Sequence, residues 1–321
     1  MELAVEKVYS KEILHTAAEL FEVNVEEKPL GDFENYLYKA KMSNGQNCVL
    51  RITHSSHRNE QEIMAELSFL KYVCDNGANA SAPYFSKQGK LVELLPASDG
   101  TVFFASLFEW ANGSHVKIDD PSIWNDELFY VWGKTIGKLH ALTKNYPQTP
   151  NRKKWDEEEY VIGLQNDPAY GEYAKRLTHK LNSLEQTNDT YGLIHSDLHH
   201  WNFFYDNGVI TAFDFDDLQY NYFVHDLTMV LYYSQLSIKG TEEEKSQFYE
   251  HQLSVLRKGY ETENKLDEEW YDAIPFFMQK RDLELYQVLT VKLDGKEMSP
   301  STKSLYDTVT QRIENAMLKE V

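Results

Sequence analysis

Residues 191–217 read YGLIHSDLHHWNFFYDNGVITAFDFDD, and this stretch limits the possible folds more than any other. Apolar runs of strand length at Tyr191–Ile194, Phe203–Tyr205 and Val209–Phe213 enclose a polar loop and an Asp206-Asn207-Gly208 step. Asn-Gly between two such runs closes a tight hairpin, because both residues accept positive φ. The hairpin sets Asn202, just before its first strand, beside Asp214, at the end of its second. An amide oxygen next to a carboxylate is a pair of hard ligands suited to Mg2+. Asp197 lies in the loop before them and is left to accept a proton from an attacking hydroxyl.

Phosphoryl transfer needs such a set, because its loose transition state asks the protein mainly to neutralise phosphate charge and align the nucleophile. The spacing His195-x-Asp197-Leu198-x-x-x-Asn202, with Asp214-Phe215 a hairpin further on, repeats the kinase catalytic-loop and metal-loop pattern. The stretch resembles the aminoglycoside phosphotransferase/choline kinase superfamily, whose loop usually reads His-Gly-Asp-Leu-His-x-x-Asn. The run Phe213-Asp-Phe-Asp-Asp217 resembles the branch holding homoserine-kinase-like and stress-response kinases. Ser196 stands where the family usually has glycine, a place a serine fits if φ is negative, and His200-Trp201 replaces a Pro-Gly pair.

The resemblance implies an α+β, bilobal protein-kinase-like fold. A small N-terminal lobe with an antiparallel sheet (1–110) would bind nucleotide, and a larger, mostly helical C-terminal lobe (111–321) would carry catalysis and the substrate. It implies ATP and Mg2+ as cofactors, with Asp197 as the catalytic carboxylate and Asn202 and Asp214 as metal ligands. Asn47–Thr53 (NCVLRIT) is similar to the family's third strand, which makes Arg51 the phosphate-gripping cation. Its glutamate partner comes from the following helix, where Glu60, Glu62 and Glu66 compete. At about 100° per residue, Glu66 lies about 60° from the Ile63/Leu67/Cys74 stripe, whereas Glu60 sits in the first turn and suits the helix dipole. Glu66 is therefore preferred, and the family's Glu-Leu-x-x-Leu pattern agrees. Leu107–Gly113 (LFEWANG) resembles the hinge between lobes, with adenine read near Phe108, Glu109 and Trp110. Gly31–Asn35 stands where a phosphate-covering loop belongs. Gly133–His140 and Phe277–Tyr286, the latter including Arg281, echo the homoserine-kinase-like branch and are read as packing signatures.

The remainder of the chain fits that outline. Residues 2–22 have helical period; alternating runs at Tyr36–Met42 and Cys48–Thr53 flank Ser43-Asn44-Gly45-Gln46; helical period returns at 59–75. Short strands fit Pro83–Lys87, Leu91–Leu95 and Val102–Phe108, and helices fit 122–144, 155–187 with a break near 166–168, 222–238, 243–261, 267–292 and 300–319. Lys and Arg number 32 against 51 Asp and Glu, a net charge of −19. So acidic a surface repels nucleic-acid backbones and anionic lipid and favours cationic small molecules. Two cysteines without metal spacing, and the lack of a leader-like or membrane-length apolar run, give the expectation of a cytoplasmic protein; a monomer or homodimer is expected.

Other roles stand beside these. His195 supports the loop rather than acting as a base, and His199 supports the loop or touches substrate. Asp216 and Asp217 extend the metal shell, meet a substrate ammonium, cap the helix near 222–231, or bond to the loop. Asp226 bonds back to the loop. The acceptor expected is a small hydroxyl-bearing molecule, an amino alcohol or amino acid. A stress-response-type protein Ser/Thr kinase, an aminoglycoside kinase, a non-catalytic pseudokinase and a metal-dependent phosphohydrolase are the alternatives.

Overall fold

The computed structural model describes residues 3–32, 34–292 and 298–319. The first third carries α1 (Leu3–Val8), α2 (Lys11–Leu20), β1 (Val23–Gly31), β2 (Asn35–Met42), β3 (Asn47–His54), α3 (Glu60–Asp75), β4 (Pro83–Tyr84), β5 (Glu93–Pro96) and β6 (Val102–Glu109). Then follow α4 (Asp126–Thr143), α5 (Glu159–Leu164), α6 (Gly171–Asn182), β7 (Tyr191–Ile194), β8 (Phe203–Asp206), β9 (Val209–Ala212) and β10 (Gln219–Tyr222). The chain continues through α7 (Val224–Ser237), α8 (Glu242–Tyr260), α9 (Glu268–Asp272), α10 (Ile274–Lys292) and α11 (Pro300–Lys319). Backbone proximity divides it into two units. One is Met1–Lys117 with Asn145–Arg152 and Trp201–Asp217; the other is Ile118–Lys144 with Lys153–His200 and Leu218–Val321.

The first unit is built on an antiparallel sheet ordered β1-β2-β3-β6-β4, with β5 also on β6. Period-two alternation sorts β3 cleanly. Cys48, Leu50 and Ile52 share one core with Ile13, Leu14 and Ala17 of α2, whereas Val49 and Arg51 line a cavity. The turn after β2 is pinned by Gly45 at φ 86° and by the 2.9 Å bond from Met42 N–H to Gln46 O. Three sequence expectations change here. Residues 2–22 are two helices, because Ser10 is extended and its hydroxyl caps the Ile13 N–H of α2. The strand β1 went unread because VNVEEKPLG is polar, mostly exposed and interrupted at Pro29. Gly31 ends that strand, and Phe33 lies outside the described residues.

In the second unit α4 and α8 meet through glycines. A Cβ on Gly133 would stand 1.9 Å from the Leu256 carbonyl oxygen, and one on Gly259 1.9 Å from that of Tyr130. Any side chain at either position would force the helices apart. Strand β7 pairs with β10, another strand too short and polar to announce itself. No described helix is long and apolar enough to cross a membrane.

Candidate active site

In the first unit a cavity of about 400 Å³ has both charged and apolar walls. Arg51, Glu66, Asn202 and Asp214 are among its polar lining residues; Leu37, Val49, Phe108 and Phe213 are among its apolar ones. Arg51 reaches the cavity because β3 alternates, and Glu66 because the N-terminus of α3 is fixed by a capping box of Asn59 and Glu62. That box uses Glu62, leaving Glu66, wholly buried, to meet Arg51. The two Arg51 Nη atoms donate to the two Glu66 oxygens at 2.8 and 2.7 Å. Burial opposes the charge on Arg51, but Glu66, and then Asp216 and Asp214, hold its pKa above the usual value. The guanidinium also lies 4.8 Å from the Phe108 ring centroid.

Asn202 and Asp214 are brought to that cavity by the hairpin β8–β9. Asn207 and Gly208 turn it with φ of 46° and 81°, and Phe213 N–H donates to Asn202 O at 3.0 Å. Asp214 itself has φ 63°, a left-handed conformation that aspartate tolerates better than most residues. Burial, and then the Asp216 charge, push its carboxyl up to about 7. A buried carboxylate under that pressure beside an amide oxygen is a donor set that fits a hard divalent cation.

Asp216 points elsewhere. Its carboxylate meets His57 and accepts from Asn35 Nδ2 at 3.4 Å, its carbonyl accepts from Arg152 Nη1 at 2.9 Å, and Arg58 stands 3.5 Å from Oδ1. Burial pushes its pKa up, yet the His57 hydrogen bond and the charges of Arg58, His57 and Arg51 hold it well below the carboxylate range. Asp217 pairs with Arg58 at 3.3 Å. Neither caps α7, whose N-cap position is Phe223 and which has no side-chain cap, so that alternative is withdrawn. Glu34, His57 and Asp216 also bring ligand atoms within 4.8 Å of one another, but Arg58 beside Asp216 opposes a cation there. No motif pointed to Arg152, which approaches Glu66 at 3.4 Å from the segment after α4. At Phe108–Trp110 the Glu109 N–H is already donated to Ala82 O at 2.8 Å.

The second unit presents Asp197. His199 Nε2 is 3.3 Å from Oδ2, and Arg281 Nη2 donates to Oδ1 at 3.1 Å. Burial would raise this carboxyl, but the His199 hydrogen bond and charge, and then Arg281, hold it below its ordinary value. The loop beneath is held by Asp226, which accepts the backbone N–H groups of His195 (3.3 Å) and Ser196 (2.7 Å) and meets His140 at 3.0 Å. His195 Nδ1 accepts the Asp197 N–H at 3.3 Å, and Trp132 Nε1 donates to Leu198 O at 3.1 Å.

Ser196 requires a correction. Its φ is +70°, not negative, and its buried hydroxyl finds no hydrogen-bond partner among the described residues. The tight Asp226 clamp imposes a glycine-like backbone on a residue with a Cβ. We expect Ser196→Gly to stabilise the protein by about 1 kcal/mol, readable as a higher denaturation midpoint. A lower midpoint would mean that the serine makes a compensating contact. Arg281 is the second correction, since packing does not describe a guanidinium on Asp197. Its signal in the sequence was an arginine followed three residues later by glutamate in a helix otherwise read as core.

The model of the phosphotransferase enzyme family matches residues 26–263. The chain belongs to this family. Amicoumacin kinase of Bacillus subtilis (strain 168) is 36% identical over 293 residues, covering 89% of this chain and 86% of that protein. A solved structure of amicoumacin kinase hAmiN, in complex with AMP-PNP, Ca2+ and Ami, superposes with a TM-score of 0.91 at 32% identity, covering 98% of this chain and 96% of that one. The microcompartment-associated aminopropanol kinase shares the fold at a TM-score of 0.70 and 18% identity, over 95% of each chain. The family membership makes this chain a phosphotransferase with the expected α+β kinase-like architecture. The phosphohydrolase and non-catalytic readings are set aside.

Proposed function

We propose that this phosphotransferase moves the γ-phosphoryl group of ATP onto a hydroxyl of amicoumacin or of a small amine-bearing molecule built like it. The observation that carries the reading is the bidentate Arg51–Glu66 pair on the same cavity as Asn202 and Asp214. Arg51, aimed by Glu66, grips the phosphates; Phe108 and Val49 flank the base, which backbone groups near Glu109 and Trp110 read. Asn202 and Asp214 would hold Mg2+, which supplies neutralising charge to the phosphate oxygens. Asp197 aligns the acceptor hydroxyl and takes its proton as the new P–O bond forms and the bond to the departing ADP oxygen breaks. His195 and Asp226 keep the loop in shape. The amicoumacin kinase relatives support the acceptor class, and the net charge of −19 suits a cationic one. The two cysteines, Cys48 and Cys74, are unbridged, which fits a reducing cytoplasm.

The test offers amicoumacin, amino alcohols, hydroxy amino acids and aminoglycosides with ATP and Mg2+, and follows ADP release and product mass. A gain of one phosphate on amicoumacin, with kcat/KM at least tenfold above the other acceptors, is the expected result. Selective turnover of a simple amino alcohol or an aminoglycoside would move the acceptor to that class, and phosphorylation of peptides alone would overturn the small-molecule reading.

A further inference from the structure

Arg281 joins three partners within the helical unit. From α10 its Nη2 donates to Asp197 Oδ1 at 3.1 Å and to the Tyr233 hydroxyl, and its Nη1 donates to Glu284 Oε2 at 3.2 Å. Glu284 is paired in turn with Lys280, four residues earlier on the helix. Charge therefore alternates along Lys280, Glu284, Arg281 and Asp197, and none of these side chains is more than 19% exposed. Such a row pays heavily in desolvation, and apolar residues of similar volume would pack as well. The row ends on Asp197.

We propose that Arg281 is the positioning residue for Asp197, holding that carboxylate charged and aimed at the acceptor hydroxyl. The inference rests on the reading of Asp197 as the group that takes the acceptor's proton. The geometry suits the task. Asp197 is on a loop, whereas Arg281 is on a helix, fixed there by Glu284 on one arm and Tyr233 on the other. His199 holds the second carboxylate oxygen at 3.3 Å, so the carboxylate plane is gripped from two sides. A guanidinium is needed because it spans three partners with fixed N–H directions, whereas an ammonium is a point charge on a flexible stem.

The experiment is steady-state kinetics on Arg281→Met, Arg281→Lys and Tyr233→Phe in the full chain, with AMP-PNP thermal shifts as a control. Arg281→Met leaves Glu284 paired with Lys280 and keeps the His199 contact of Asp197. We expect kcat to fall about 30- to 100-fold, since misaligning a reacting group costs roughly two orders of magnitude. KM for ATP should stay within about twofold, and lysine should restore about tenfold of the loss. Tyr233→Phe, which removes one of the two partners of Nη2, should lower kcat severalfold and carries the test if the methionine variant does not fold. A folded Arg281→Met enzyme with kcat within twofold of the parent overturns the proposal, as does a lysine variant no better than methionine. Asp197→Asn separates the two readings. Near-full turnover there removes the premise, whereas an inactive Asp197→Asn beside an active Arg281→Met removes this inference alone.

Discussion

Asp197→Asn should lower kcat by two to four orders of magnitude while leaving nucleotide affinity within about twofold, because a positioned general base contributes on that scale. The replacement keeps the shape of the side chain, deletes its charge and basicity, and leaves one acceptor oxygen in place of two. Arg281 retains Glu284 and Tyr233 when the carboxylate is lost, so the helical unit should keep its fold. The cavity residues proposed to hold the nucleotide, Arg51, Glu66 and Asp214, are unchanged in this variant, which is why nucleotide binding should persist. Rapid-quench measurement of phosphoryl transfer, set against AMP-PNP thermal shifts, reads the two quantities separately. A variant turning over within threefold of the parent would remove Asp197 from its role. Loss of the nucleotide shift as well would mean that the side chain supports the fold, and the rate could not then be ascribed to proton transfer.

The contrast between Asp197 and Asp216 shows what a sequence can and cannot carry. Asp197, Asn202 and Asp214 are separated by a loop and one hairpin, so local turn chemistry at Asn207-Gly208 was enough to group Asn202 with Asp214. Glu66 was legible because helical period acts within a few residues and the family's Glu-Leu-x-x-Leu pattern agrees with it. Asp216 was ambiguous because its partners, His57, Arg58 and Arg152, lie 159, 158 and 64 residues away, and no periodicity relates them. Arg281, 84 residues from Asp197, fails for the same reason. Ser196 was misjudged on another ground: its φ is set by the carboxylate of Asp226, thirty residues on, which clamps the loop backbone whatever side chain it bears. Strand β1 shows the limit for secondary structure, since an exposed edge needs no apolar alternation and supplies none.

Glu66→Ala carries the second large effect, and it falls on stability as well as on turnover. Arg51 and Arg152 both face this carboxylate, at 2.7 and 3.4 Å, with side chains only 4% exposed. Removing it strands two buried guanidinium groups, and breaking a buried ion pair from one side costs about 3–5 kcal/mol. That figure measures the penalty of an unpaired charge rather than the net worth of the salt bridge, so Arg51→Met/Glu66→Met should be less destabilised than Glu66→Ala. Glu66→Gln, which keeps one acceptor oxygen and the volume, should fall between them and remain folded enough to assay. In that variant Arg51 loses its second charge-assisted bond, and KM for ATP should rise about tenfold or more, the worth of one such contact. Denaturant midpoints across the three variants decide the matter. If Glu66→Ala loses less than about 1 kcal/mol, neighbouring groups or water must be absorbing the exposed arginines. The pair would then be a weaker organiser of the phosphate end than its geometry implies. If the stability falls as expected while KM in Glu66→Gln does not move, Glu66 serves the fold of the sheet and α3 and not the aim of Arg51, and the cation would have to be oriented by Phe108 beside it.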